Sequence, residues 1–234
     1  MNVLVIGDEH TYGFGLPGGN LSYIGHFIKQ ISLARQAVSV DTYAHLTMAQ
    51  MSSTLAQLPL SRYDLIILQL DDRISQPITF DSMNVPCLAT PTLPQSLDLL
   101  GEATLKERTS PFKVLGNLLL SLIRPRHKMA LSVLLKQLRP YRHNVLLLTP
   151  FPYRNRVNQW IRQRSRNLVL EEANKQLFSV FDTDLIIRPQ EEYFLANDPE
   201  HLSAVSHELV GRSLFDFYLS APTIVTIQAI RRYF

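Results

Sequence analysis

The chain has 234 residues, 46% of them apolar, with one cysteine and with 23 Lys and Arg against 20 Asp and Glu. That length suits a single α/β domain, and that apolar share fills a sizeable core. A lone thiol excludes an internal disulfide, no apolar run reaches the roughly 18 residues of a bilayer span, and no basic segment leads into an apolar leader, so a soluble, cytoplasmic protein with no membrane partner is expected.

In chain order, Val3 to Ile6 is an apolar run of the kind found in a parallel strand covered on both faces. Leu21, Ile24, Phe27, Ile28 and Ile31 fall near helical spacing, which predicts a helix over 21–35. Residues 37–40 read as a second strand, 48–58 as a helix and 63–70 as a third strand. Periodicity then fails from Asp71 to about Pro111, and prolines gather at 77, 86, 91, 94 and 111. Such a stretch inside a compact domain marks a lid, a binding loop or an insertion, placed here at 74–128. Cys87 lies within it and reads as a small buried hydrophobe. Helical patterns follow at 112–123 and 129–138, then a strand at 144–149 ended by Pro150. A basic amphipathic helix at 155–178, a short strand near 184–187 and a helix at 202–219 complete the pattern. Strands alternating with helices specify one α/β domain over residues 1–234, an open and mostly parallel sheet whose ligands bind beyond the C-terminal strand ends. The basic clusters at Arg124–Lys128 and Arg154–Arg166 read as solvated helix faces, so no nucleic-acid partner is expected.

Two patterns compete for the loop after the first strand. Gly13-Phe-Gly15-Leu-Pro-Gly18 spells the glycine pattern of a dinucleotide cradle, and Asp41 closes the second strand where a ribose-binding acid would stand. That cradle turns directly off its strand, whereas Asp8 to Tyr12 intervene here and Pro17 stiffens the segment meant to wrap a phosphate.

Counted from Gly7, the stretch Gly7-Asp8-Glu9-x-Thr11-Tyr12-Gly13-x-Gly15 resembles the first motif of the SGNH, or GDSL, hydrolases, in which Gly-Asp-Ser follows the first strand. Asn197-Asp198-Pro-Glu-His201-Leu202, before the last helix, resembles that family's Asp-x-x-His-Leu motif. The resemblance covers essentially the whole chain and implies a three-layer α/β/α fold with a flavodoxin-like, mostly parallel sheet of the SGNH-hydrolase type. It also implies that Asp198 orients His201, that His201 is the base, and that Glu9 stands where the nucleophilic serine belongs. Glu9, Asp198 and His201 are therefore the candidate catalytic residues.

The sequence departs from the family elsewhere. No glycine lies between Gly25 and Gly101 and no asparagine between Asn20 and Asn84, so the family's two auxiliary oxyanion donors are missing. Where Gly-x-Asn-Asp would follow the third strand, the chain has Leu70-Asp71-Asp72-Arg73. No G-x-S-x-G elbow occurs, and Ser52 and Ser53 read as helix-surface or packing residues. A carboxylate attacking an ester forms a reactive anhydride, and its charge opposes the developing oxyanion.

The resulting expectation is a degenerate family member that binds a small, acylated or carbohydrate-like ligand, or a partner protein, without serine esterase activity and without a cofactor. The alternatives are a hydrolase of carboxylic esters working through Glu9, Asp198 and His201, and a divalent metal held by Glu9, Asp71, Asp72 and His201. Nucleotide binding through Gly13–Gly18 is the third class. In the plainest reading Glu9 pairs with His201 or Arg73 in a disused pocket, or Asp198 merely caps the last helix and His201 is a partly buried surface residue. His10 is expected to face away from Glu9.

Overall fold

A computed structural model describes residues 1–33, 37–44, 46–70, 126–196 and 198–221. Asp71, Asp72, Arg73, Cys87, the helix expected at 112–123 and nearly all of the expected insertion lie outside the described residues.

The first strand, β1 (Asn2–Gly7), is buried from Val3 to Gly7, as its unbroken apolar run requires. It pairs in parallel with β2 (Ser39–Ala44) on one side and with β3 (Leu65–Gln69) on the other. Beyond β3 follow β4 (Val145–Leu148) and β5 (Ser179–Phe181), also parallel, giving the order β2-β1-β3-β4-β5. This is the flavodoxin-like sheet expected from the alternation of elements. The order reverses between β1 and β3, and the C-terminal ends of these two strands form the switch point where ligands of such sheets bind.

Helices cover both faces: α1 (Glu9–Tyr12), α2 (Tyr23–Leu33), α3 (Met48–Gln57), α4 (Arg126–Leu138), α5 (Arg156–Gln176) and α6 (Ala204–Ser220). The period of two along each strand divides the core. Val3, Val5, Ile67 and Leu146 pack with Phe27 of α2 and with Val210 and Leu214 of α6. Leu4, Ile6, Ile66 and Leu147 pack with Leu55 of α3, Leu134 of α4 and Val169 of α5. Each such fully buried aliphatic side chain contributes about 1.5–3 kcal/mol relative to exposure. Among the described residues no helix is long and apolar enough to cross a membrane.

Three expectations are corrected. The second strand runs over 39–44 rather than 37–40, so Asp41 sits within it, opposite Leu4, instead of closing it. No strand forms at 184–187: Leu177 takes a left-handed φ of 59° just past α5, and β5 follows at once. The 184–187 stretch instead enters a 3-10 turn over Thr183–Leu185, because the Asp182 carboxylate accepts the Asp184 N–H. Third, Asp198 does not cap the last helix, since Ser203 does so by accepting the Ser206 N–H. Asp198 opens β7 (Asp198–Leu202), which pairs antiparallel with β6 (Phe194–Leu195).

Candidate active site

The turn that carries Glu9 is fixed by its neighbours. A Cβ on Gly7 would fall 1.9 Å from Thr11 Oγ1, so only glycine lets Thr11 fold back against the strand end. Asp8 caps α1 by accepting the His10 N–H at 2.9 Å, and the helix stops at Gly13, whose φ of 73° suits a left-handed cap. From the neighbouring strand end, the buried Gln69 amide donates through Nε2 to Asp8 Oδ2 at 2.5 Å. Its Oε1 accepts from Thr11 Oγ1 and from Tyr23 OH, both at 2.7 Å. One amide thereby locks α1 onto the switch point. Sequence reasoning missed Gln69, whose signal was a lone polar residue inside the most apolar strand.

The β6–β7 hairpin brings the second motif to the same place. His201 Nδ1 lies 2.6 Å from Asp198 Oδ2, and His201 Nε2 lies 3.8 Å from Glu9 Oε1. The imidazole thus stands between two carboxylates, with its side chain 13% exposed against 31% for Glu9. The structure joins all three sequence-predicted residues. Asp198 meets His201 within the extended β7, and its other oxygen, Oδ1, accepts the Glu200 N–H at 2.9 Å. Partial burial works against the Asp198 charge, yet the Glu200 amide and His201 outweigh it and hold the carboxyl below its usual value. Phe14, 59% exposed, tilts its ring over His201 with centroids 4.8 Å apart and gives the site an apolar rim.

The expectation for His10 assumed a strand pattern running past Gly7. The strand pattern does not persist past Gly7, and α1 turns His10 into the core, where its ring lies 5.6 Å from that of His201 and 5.1 Å from that of Phe151. Burial, reinforced by His207 and His201, pushes its pKa down to about 3. His207 is likewise lowered to about 4, chiefly by burial. His207 Nδ1 accepts the Tyr23 N–H at 3.0 Å, so the neutral ring carries its proton on Nε2. That Nε2 and His10 Nδ1 are both buried without a hydrogen-bond partner among the described residues. With Nε2 protonated, His207 presents no lone pair there to a cation. No group of three His, Cys, Asp or Glu among the described residues is arranged to hold a metal ion. The proposed metal ligands Asp71 and Asp72 lie outside those residues, and the carboxylates that meet His201 among the described residues are Glu9 and Asp198.

The glycine run serves the site as a wall. A Cβ on Gly15 would meet Leu195 at 2.8 Å and His201 Cβ at 3.9 Å, so the loop packs against β6. Asp41 is bound to the Arg62 guanidinium at 2.6 Å and to Tyr63 OH at 2.7 Å, which occupies the acid that a ribose would need. The basic cluster of α5 is not simply a solvated face. Arg162 is fully buried, donating to Pro150 O at 2.6 and 2.8 Å and pairing with Asp184 at 2.5 Å. Arg166 pairs with Asp182 and with Asp184. Ser52, by contrast, is the packing residue expected, donating to Gln137 at 3.0 Å.

No protein-family model matches the chain, and no curated protein matches it by sequence. Solved structures do. A lipase/acylhydrolase from Enterococcus faecalis superposes with a TM-score of 0.58 at 14% identity, covering 97% of this chain and 100% of that one. An acetylxylan esterase from Geobacillus stearothermophilus superposes with a TM-score of 0.58 at 12% identity, covering 96% of each chain. A protein assigned to the G-D-S-L lipolytic family, from Desulfitobacterium hafniense, gives 0.56 at 13% identity over 92% of this chain and 98% of that one. The parallel sheet, the order of its strands and these neighbours agree: the chain has the SGNH-hydrolase fold.

Proposed function

We propose that this is an SGNH-hydrolase-like protein that binds a small ligand over Glu9 and His201 without serine-type ester hydrolysis. The observation that carries this reading is the Glu9 carboxylate 3.8 Å from His201 Nε2, on the side of the ring away from Asp198. That is the place a nucleophilic hydroxyl would take in a hydroxyl–imidazole–carboxylate relay. A hydroxyl needs the imidazole to remove its proton, whereas a carboxylate has none to give, so the relay has nothing to transfer. Attack by Glu9 on an ester would convert it to a less stable anhydride beside a fixed negative charge. What the site keeps is recognition: two carboxylates and an imidazole to accept or donate hydrogen bonds, beside an exposed aromatic ring. Such a set suits the hydroxyls and the apolar portion of an acylated sugar or a lipid-like molecule.

Hydrolysis of p-nitrophenyl acetate tests the reading. Wild type is expected to match buffer and the His201→Ala variant, while Glu9→Ser, which restores a hydroxyl beside His201, is expected to gain His201-dependent turnover. Turnover by wild type that His201→Ala abolishes would overturn the reading in favour of an active esterase.

A further inference from the structure

A carboxylate that cannot usefully attack an ester can attack a saturated carbon bearing a strained leaving group, because the product is then an ordinary ester. We propose that Glu9, His201 and Asp198 form a carboxylate–imidazole–carboxylate relay that opens a small, aryl- or alkyl-substituted epoxide and hydrolyses it to the vicinal diol. The proposal rests on the reading above that Glu9 occupies the nucleophile's place.

The geometry supplies a nucleophile, a proton carrier and an apolar surface. At 3.8 Å, Glu9 Oε1 and His201 Nε2 are too far apart for a direct hydrogen bond, and both side chains are partly exposed. Beside the pair, an epoxide can set its carbon about 3–3.5 Å from Oε1 and its oxygen about 2.8 Å from Nε2. Phe14, lying on the His201 ring, offers an exposed apolar surface for the substituent. Asp198 holds Nδ1, which fixes Nε2 as the atom that faces the reaction.

The steps balance without a cofactor. With His201 in its protonated form, Glu9 Oε1 attacks the less hindered epoxide carbon, the carbon–oxygen bond breaks, and the departing oxygen takes the proton from Nε2. This leaves a hydroxyalkyl ester on Glu9 and a neutral His201. Nε2 then removes a proton from water, the resulting hydroxide attacks the Glu9 ester carbonyl, and the diol departs with the oxygen it received from Glu9, taking the proton of the newly formed carboxylic acid. Glu9 returns to a carboxylate and His201 to its protonated form. The second step is ordinary ester hydrolysis with the imidazole as general base, the chemistry for which an Asp-oriented histidine is suited.

Styrene oxide incubated with the full chain tests this. Wild type is expected to form phenylethanediol about a hundredfold faster than Glu9→Gln. The His201→Ala variant, shown folded by circular dichroism, lacks the proton donor for ring opening and is expected to be as slow as Glu9→Gln, while the ester formed by wild type and trapped by acid quench is expected to map by mass spectrometry to Glu9. A second measurement uses wild type alone: after one turnover in heavy-oxygen water, the label is expected in the Glu9 carboxylate and not in the diol. Diol formation no faster than in Glu9→Gln, alkylation confined to residues other than Glu9, or label entering the first diol would each overturn the proposal. Any of these leaves the non-esterase reading standing, whereas hydrolysis of p-nitrophenyl acetate by wild type overturns that reading without touching the labelling result.

Discussion

Two polar centres sit at the C-terminal edge of the same sheet, and they are built in opposite ways. Around Arg162, beyond β4 and β5, the fully buried guanidinium meets the Pro150 carbonyl, Thr183 and Asp184, and Arg166 binds both flanking aspartates. Around His201, beyond β1 and β3, a carboxylate lies 3.8 Å from the imidazole, and among the described residues two further histidines keep buried ring nitrogens unmatched. A closed network of this kind fixes loops; an open one leaves hydrogen-bonding capacity for something else. The contrast supports the proposal that ligand binding belongs to the β1–β3 switch point, whereas the more highly charged β4–β5 edge is structural.

The largest expected effect falls on the closed centre. Arg162→Met removes the cation that joins Pro150 and Asp184, and should lower the unfolding free energy by about 3–5 kcal/mol in urea titrations. A loss under about 1 kcal/mol would show that the network is as dispensable as a surface pair. Next comes acid sensitivity at the open centre. His10 and His207 have folded-state pKa values lowered from 6.5 to about 3 and about 4, so the unfolded chain binds more protons than the folded one between pH 6.5 and 4. Their contribution to stability is complete above pH 6.5 and is lost as pH falls through that window. Unfolding near pH 5 should therefore take up close to two protons from these residues, with a smaller share from His26, whose pKa is also lowered by burial. His10→Phe should remove one of the two while leaving the Arg162 network unchanged.

Gly7→Ala should cost about 1–3 kcal/mol, since its methyl must displace Thr11 and disturb the Gln69 amide. Thermal unfolding of this variant, compared with Gly7→Ala/Thr11→Ala, should recover part of the loss. Smallest is Phe14→Ala, expected within about 0.5 kcal/mol of wild type in stability because the ring is largely solvated. If Phe14→Ala instead destabilised the fold strongly, the ring would belong to the core and not to the rim of the site.

Much of this was legible in the residues. Strands buried on both faces announce themselves as unbroken apolar runs, and the two sequence motifs led directly to Glu9, Asp198 and His201. What stayed hidden depends on partners distant in sequence. Nothing near Arg162 distinguishes it from the exposed Arg164; burial follows from Asp184 and the Pro150 carbonyl arriving from other elements. Gln69 and His207 look like isolated polar residues until the sheet and α6 bring Asp8 and Tyr23 to them. The strand expected at 184–187 failed for a local reason, because a capping aspartate competed with the sheet for the backbone.

The hydrogen bond from the Tyr23 amide to His207 spans 184 residues and ties the start of α2 to α6. Its consequence concerns time more than space. Glu9 leaves the ribosome early and His201 late, so during synthesis the first strand end waits with its carboxylate and no imidazole opposite. The centre is thus completed only after β7 and α6 have been synthesised, which makes its acquisition a late event in the making of the chain.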